Sequence, residues 1–292
     1  MDSTRLLPEL VDLVLSFIAS PQRTHNGVPL KQYTLVSKDW LHPGRRYLFR
    51  RKTLWVDISG REFKRFIDFL NRNSHLRSYI RDLLITPDTE GRVSVGEVAI
   101  ILQLLPQLQV LELLMLGLSS ESSTLPQDVR SAFSLEQLHL SDVYALAPSP
   151  TSSPFHDLLS LFSSIRTLVP SCCQFNIDDS RFAVDRRVAA QKIHYLADEG
   201  ATQTGIGNDE VLLIFFRDIV DPSSIETFAA YLINASDLSF ITQFIEKTYK
   251  SAEKPITIHY TFKATARGEY AVYLHLIKSS LQTKSQSGYR VR

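Results

Sequence analysis

The chain has 292 residues, 44% of them hydrophobic, enough for one large or two small domains with a buried core. Thirty-two Lys and Arg against 31 Asp and Glu leave a net charge of +1, no global reason to expect nucleic acid or an anionic membrane as partner. The two cysteines, Cys172 and Cys173, are neighbours, which excludes a disulfide framework, and the apolar runs at 98–105 and 211–216 are too short to span a bilayer.

In chain order, residues 8–19 place Leu10, Val11, Val14, Leu15 and Ile18 at the spacing of an amphipathic helix. Pro8 suits the first helical position, because it has no N–H to lose there, and Glu9 and Asp12 favour the positive helix start. A second helical pattern covers 30–40, with Leu30, Tyr33, Val36 and Trp40 sharing one face. Pro43 and Gly44 break it, and a short basic-apolar segment, 45–49, follows. Three short helices of this kind carry more apolar surface than they can hide among themselves, so the unit calls for a partner.

This segment resembles an F-box, whose motif opens with Leu-Pro, continues as an amphipathic helix and ends in Val-Ser-x-x-Trp. Here those elements are Leu7-Pro8-Glu9-Leu10, then Val14, Leu15 and Ile18, then Val36-Ser37-Lys38-Asp39-Trp40. The tail Arg45-Arg46-Tyr47-Leu48-Phe49 is similar to the ending common in fungal members. One departure is the inter-helix segment 20–29, several residues longer than the family pattern. The resemblance implies docking onto the Skp-type adaptor, and through it a cullin, of a ubiquitin ligase. It implies adaptor-binding roles for Leu7, Pro8, Leu10, Val14, Leu15, Ile18, Val36 and Trp40.

Beyond the box, 52–59 alternates Leu54, Val56 and Ile58 as a strand, and 61–71 places Phe63, Phe66, Ile67 and Leu70 on one helical face. A six-residue pattern then recurs as Ile80/Leu83/Ile85, Leu108/Leu111/Leu113 and Leu135/Leu138/Leu140. Ile165/Leu168/Pro170 matches only at its first two positions. The starts lie 28, 27 and 30 residues apart, at the upper edge of the leucine-rich-repeat period. Stacked units of that kind share a core that no single unit can form. Return helices are expected at 95–105, near 127–133 and at 154–162. The asparagine-ladder position of a regular repeat is missing, with Leu116, Val143 and Cys173 near where it would sit. An ordinary α/β domain with evenly spaced strands is the alternative.

Residues 148–154 form a Pro/Ser-rich loop in which Ser149 and Ser153, each before proline, are candidate phosphorylation sites as well as ordinary solvated loop residues, and 171–209 has too little periodicity to place. A strand is expected at 210–216. Asp221-Pro222 reads as the start of a helix bearing Ile225, Phe228, Ala229 and Leu232, and a second helix is expected over 237–249. Alternation at 256–262 and 270–276 around Arg267-Gly268 reads as a hairpin closing the sheet.

No catalytic constellation emerges. Gly205-Ile206-Gly207 lacks the third glycine of a dinucleotide fingerprint, the adjacent cysteines have no zinc spacing, and no H-x-x-x-H occurs. No cofactor, metal or catalytic residue is therefore assigned. Arg45, Arg46, Arg50, Arg51 and Lys52 form the one notable charge cluster; a solvated helix end balancing the acidic first helix is favoured over a contact with nucleic acid or an acidic partner or a nuclear import signal, and no aromatic interleaving supports nucleic-acid binding. Pro8, Glu9 and Asp12 interrupt any signal-peptide pattern, so the expected location is cytoplasmic or nuclear, with no membrane partner.

The expected fold class is α/β: a short three-helix F-box over 1–51, then an irregular leucine-rich-repeat-like α/β solenoid over 52–278. A C-terminal strand pair closes it, and 279–292 is expected to be a disordered tail. The implied function is non-enzymatic: a substrate-recognition subunit of a Skp–cullin–F-box ubiquitin ligase, holding a protein substrate on the repeats. Two alternatives stay open, an interaction module without a role in ubiquitin transfer and an α/β enzyme whose box resemblance is accidental.

Overall fold

The computed structural model describes residues 8–18, 38–88, 90–120, 131–146, 153–171, 173, 189–196, 220–232 and 257–262. Expectations for 210–216, 237–249, 270–276 and the tail lie outside these residues.

The head consists of α1 (Pro8–Ile18) and α2 (Lys38–Arg50), and α2 runs directly into β1 (Arg51–Val56). Pro8 holds the first helical position. The second helix departs from expectation, because Pro43 and Gly44 lie inside α2 instead of ending it. An interior proline removes one backbone hydrogen bond. Packing against α1 holds α2 together across that gap, and the Tyr47 hydroxyl donates to the Asp12 carbonyl at 3.3 Å.

The body alternates strands with returning segments. α3 (Arg61–Arg72) and a 3-10 turn (Ser74–Tyr79) lead to β2 (Asp82–Pro87), and β3 (Arg92–Ser94) leads into α4 (Val95–Leu104). There follow β4 (Val110–Leu114), β5 (Gly117–Ser119), β6 (Phe133–Ser141), β7 (Tyr144–Ala145), α5 (Pro154–Ser160) and β8 (Phe162–Ser171). The described chain closes with β9 (Ala189–Leu196), a 3-10 turn (Pro222–Ser224), β10 (Thr227–Leu232) and β11 (Thr257–Phe262). The fold is α/β. Among the described residues, one eight-stranded sheet has the order β1-β2-β4-β6-β8-β9-β10-β11, and a three-stranded sheet has the order β3-β5-β7. Every pairing is parallel, and each strand lies beside the next of its sheet in chain order.

That order stacks the recurring apolar positions. Leu83, Leu111, Leu138, Leu168 and Ile193 are successive register partners, and Phe228 continues the row in β10. A second row joins Ile85, Leu113, Leu140 and Pro170. All of these side chains are buried, as are Ile80, Leu108, Leu135 and Ile165 at the start of each pattern. Side chains alternate faces along a strand, so the six-residue spacing survives only if each unit pairs in the same register. At the β1 edge the first row ends on Lys52, the partner of Leu83. An inward-pointing charge is one of the devices that keep a sheet edge from recruiting another strand.

The chain turns between the two sheets at Met115 and Asp142, both at φ 53°. Their N–H groups donate to the Ser141 and Ser171 carbonyls, at 2.8 and 3.0 Å, so each corner is tied to the next unit. The following residues, Leu116 and Val143, are fully buried, and Cys173 is buried with its Sγ 3.6 Å from the Leu140 carbonyl. Leu116, Val143 and Cys173 thus belong to the buried core. Gly117 permits the close approach of β5 and the chain after β7, since a Cβ there would meet Leu146 Cγ at 2.8 Å.

Several elements differ from the sequence reading. Residues 225–232 are not a helix: Asp221 Oδ1 accepts from Ser223 N at 2.9 Å to cap a single 3-10 turn, and β10 follows. Pairing with β9 on one side and β11 on the other holds that segment extended. Phe133 and Phe162 begin strands and are not the ends of return helices, although α4 and α5 form where return helices were expected. β9 arises within the stretch that periodicity could not place. Ser153 is only 1% exposed and its side chain accepts the His156 N–H at the start of α5, so in this fold it is shielded from modification.

Candidate protein-binding surface of the head

α1 is apolar over more than half its circumference, with Glu9, Asp12 and Ser16 on the remaining face, and packing divides its apolar residues between two sides. Val11 and Leu15 are buried, at 1% and 0% exposure, whereas Leu10, Leu13, Val14 and Phe17 are 45, 64, 40 and 56% exposed. The exposed four are spaced i, i+3, i+4, i+7 and so lie along one helical face. The buried pair stands apart from the main core, which begins at Leu54 and reaches Phe228. The head therefore has its own small packed interior and a separate apolar strip turned to solvent.

Polar contacts accompany the packing of the two helices. Besides the Tyr47 hydroxyl bond, Arg46 Nη1 lies 3.9 Å from Asp12 Oδ1. Burial, reinforced by Asp12 and opposed by Arg46 and Arg50, pushes the Tyr47 phenol above its ordinary pKa, so it stays a donor. Where α2 meets β1, Lys52 Nζ lies 4.4 Å from the centroid of the Phe49 ring, and burial pulls its ammonium pKa below the ordinary value.

The residues named from sequence are distributed unevenly. Leu10 and Val14 are together on the exposed face, but Leu15 turns to the opposite, packed side with Val11. Pro8 and Ile18 are the first and last residues of α1. Trp40 is half-buried in the first turn of α2, close in sequence to Leu41, which is 36% exposed. Leu7 and Val36 lie outside the described residues. Leu13 and Phe17, the two most exposed apolar residues of α1, were missed because the selected stripe ran through the neighbouring positions.

Among the described residues, no group of three or more His, Cys, Asp or Glu could hold a metal ion. None of the described helices is long and apolar enough to cross a membrane. Compared with protein-family models and with curated proteins, the chain has no match.

Proposed function

We propose that the chain is the substrate-recognition subunit of a Skp–cullin–F-box ubiquitin ligase, with α1 docking the adaptor and the body holding a protein substrate. The observation that carries this reading is the solvent-facing strip Leu10, Leu13, Val14 and Phe17 on the very helix that resembles the box. Covering a large apolar side chain completely contributes about 1.5–3 kcal/mol, and these start roughly half covered, so the four together supply about 3–6 kcal/mol. Association costs about 4–15 kcal/mol before any net affinity appears. The α1 strip is thus an anchor, and the adaptor interface extends onto neighbouring residues such as Leu41.

The body reads as an irregular leucine-rich-repeat-like solenoid. Support comes from parallel strands laid down in chain order and from repeat starts 28, 27 and 30 residues apart whose apolar positions share one register. Its contribution to ubiquitin transfer is proximity: a bound substrate is held at high effective concentration beside the charged conjugating enzyme, with no chemical group supplied by this chain. A pull-down from cell extract tests the assignment. The full chain recovers a Skp-type adaptor and a cullin, and a chain beginning at Lys52 recovers neither. Equal recovery by both, or recovery by neither, contradicts it.

A further inference from the structure

On α2, Arg46 and Arg50 are spaced i and i+4 and so occupy one helical face, and Arg81 is the residue immediately before β2. The Arg81 N–H donates to the Arg50 carbonyl at 2.9 Å, which ties the two backbones together. Arg81 Nη1 in turn donates to the Gln107 carbonyl at 3.2 Å and to Gln107 Oε1 at 2.7 Å, fixing its guanidinium. These three arginines line a cleft of about 280 Å³ together with Tyr47, Ser78 and Gln109; among the described residues, no carboxylate lines it. Asp12 and Asp82 approach Arg46 and Arg50 from outside that lining, at 3.9 and 3.7 Å, too far for hydrogen bonds. Both ion pairs are long and their arginine side chains more than half exposed, so they are weak and leave guanidinium donors available to an anion.

We propose that this cleft binds a phosphate monoester dianion. The guanidinium fork matches two phosphate oxygens at once, and three arginines lining one cleft favour a dianion over a single carboxylate. Gln109 adds a carboxamide suited to the remaining oxygens, and the Ser78 hydroxyl, which donates to the His75 carbonyl at 3.4 Å, also lines the cleft. Arg81 and Gln109 also line a second groove, about 630 Å³, along the leading ends of β4, β6, β8, β9 and β10, where Ser134, Ser164 and Gln191 present further polar groups beside Glu226 and the Glu136–Arg166 ion pair. A molecule anchored by its phosphate has room to extend there. The phosphate can come from a small phosphate ester or from a phosphorylated side chain of a peptide. The site stands independently of the adaptor reading.

The test is a titration of the full chain alone with inorganic phosphate, with a short phosphoserine peptide and with the same peptide unphosphorylated. Inorganic phosphate and the phosphopeptide compete for one site, the unphosphorylated peptide does not bind there, and added salt weakens both. A charge-assisted hydrogen bond is worth at least one factor of ten, so Arg46→Gln and Arg50→Gln each weaken binding roughly tenfold. Arg92→Gln, an exposed arginine outside the cleft, leaves binding unchanged. Arg46 and Arg50 have side chains 62 and 56% exposed, so both variants keep the fold, as circular dichroism verifies. A phosphopeptide that binds tenfold tighter than inorganic phosphate identifies a peptide source, and equal affinities identify a small ester; both support the site. Absence of phosphate binding, or binding indifferent to Arg46 and Arg50, overturns it.

Discussion

Leu138 sits at the centre of the longest buried row, fully covered, with Leu111 and Leu168 as its register partners in β4 and β8. Leu138→Ala deletes three carbons from that row. At about 0.8 kcal/mol per buried methylene, the lost transfer free energy alone is about 2.4 kcal/mol. A cavity term adds to it, because strands tied on both sides at about 4.8 Å cannot close the gap. The expected loss is about 3–4 kcal/mol, within the range found for enclosed leucines. It lowers the melting midpoint by about 6–16 °C in a domain of this size. The neighbouring His139 has the opposite strand parity and is only partly buried, so His139→Ala costs under about 1 kcal/mol. The assay is urea unfolding of the two variants beside the parent, followed by far-ultraviolet circular dichroism. Equal losses refute the register, since a slip of one residue exchanges the buried and exposed faces of β6.

Two further outcomes follow from the local chemistry. Burial depresses the Lys52 pKa, so the unfolded chain holds the proton more tightly; stability therefore rises with pH as it climbs from the folded pKa toward the unfolded value near about 10.4. Lys52→Met removes that rise and stabilises the protein at neutral pH, measurable by urea unfolding across pH; a steeper rise in the variant contradicts the reasoning. At α4, Ser94 accepts the Glu97 N–H at 3.2 Å while Glu97 Oε2 accepts the Ser94 N–H at 2.9 Å. Ser94→Ala breaks this capping box and lowers unfolding free energy by about 1 kcal/mol, with Ser94→Asp retaining most of it.

The body was legible because a parallel ladder imposes its spacing on the chain. Ile80, Leu83, Ile85 and their counterparts are buried, and Leu83, Ile85 and theirs are matched in register. The head was legible as a helix but not as a face. Leu10, Val11, Leu13, Val14, Leu15, Phe17 and Ile18 cover more than half of α1, and tertiary packing decides which of them remain outside. Ile225, Phe228, Ala229 and Leu232 carry helical spacing, yet β10 is extended because strands on both flanks satisfy its backbone. β9 offered no alternation, since AAQKIHYL has few large apolar residues. The arginine cleft was hidden for a different reason: Arg81 is thirty-one residues from Arg50, and the pairing of β1 with β2 brings it near α2.

The most direct measurement is calorimetric titration of the purified full chain with a Skp-type adaptor, beside the Leu10→Asp/Val14→Asp variant. Each aspartate, if buried unpaired in the interface, costs about 2 kcal/mol or more, so affinity falls about a thousandfold. Both side chains are exposed in the free chain, so its circular dichroism and melting midpoint stay unchanged. Undiminished affinity in the variant contradicts docking through α1. Unfolding of the variant contradicts it equally, because those side chains then belong to the protein's own interior.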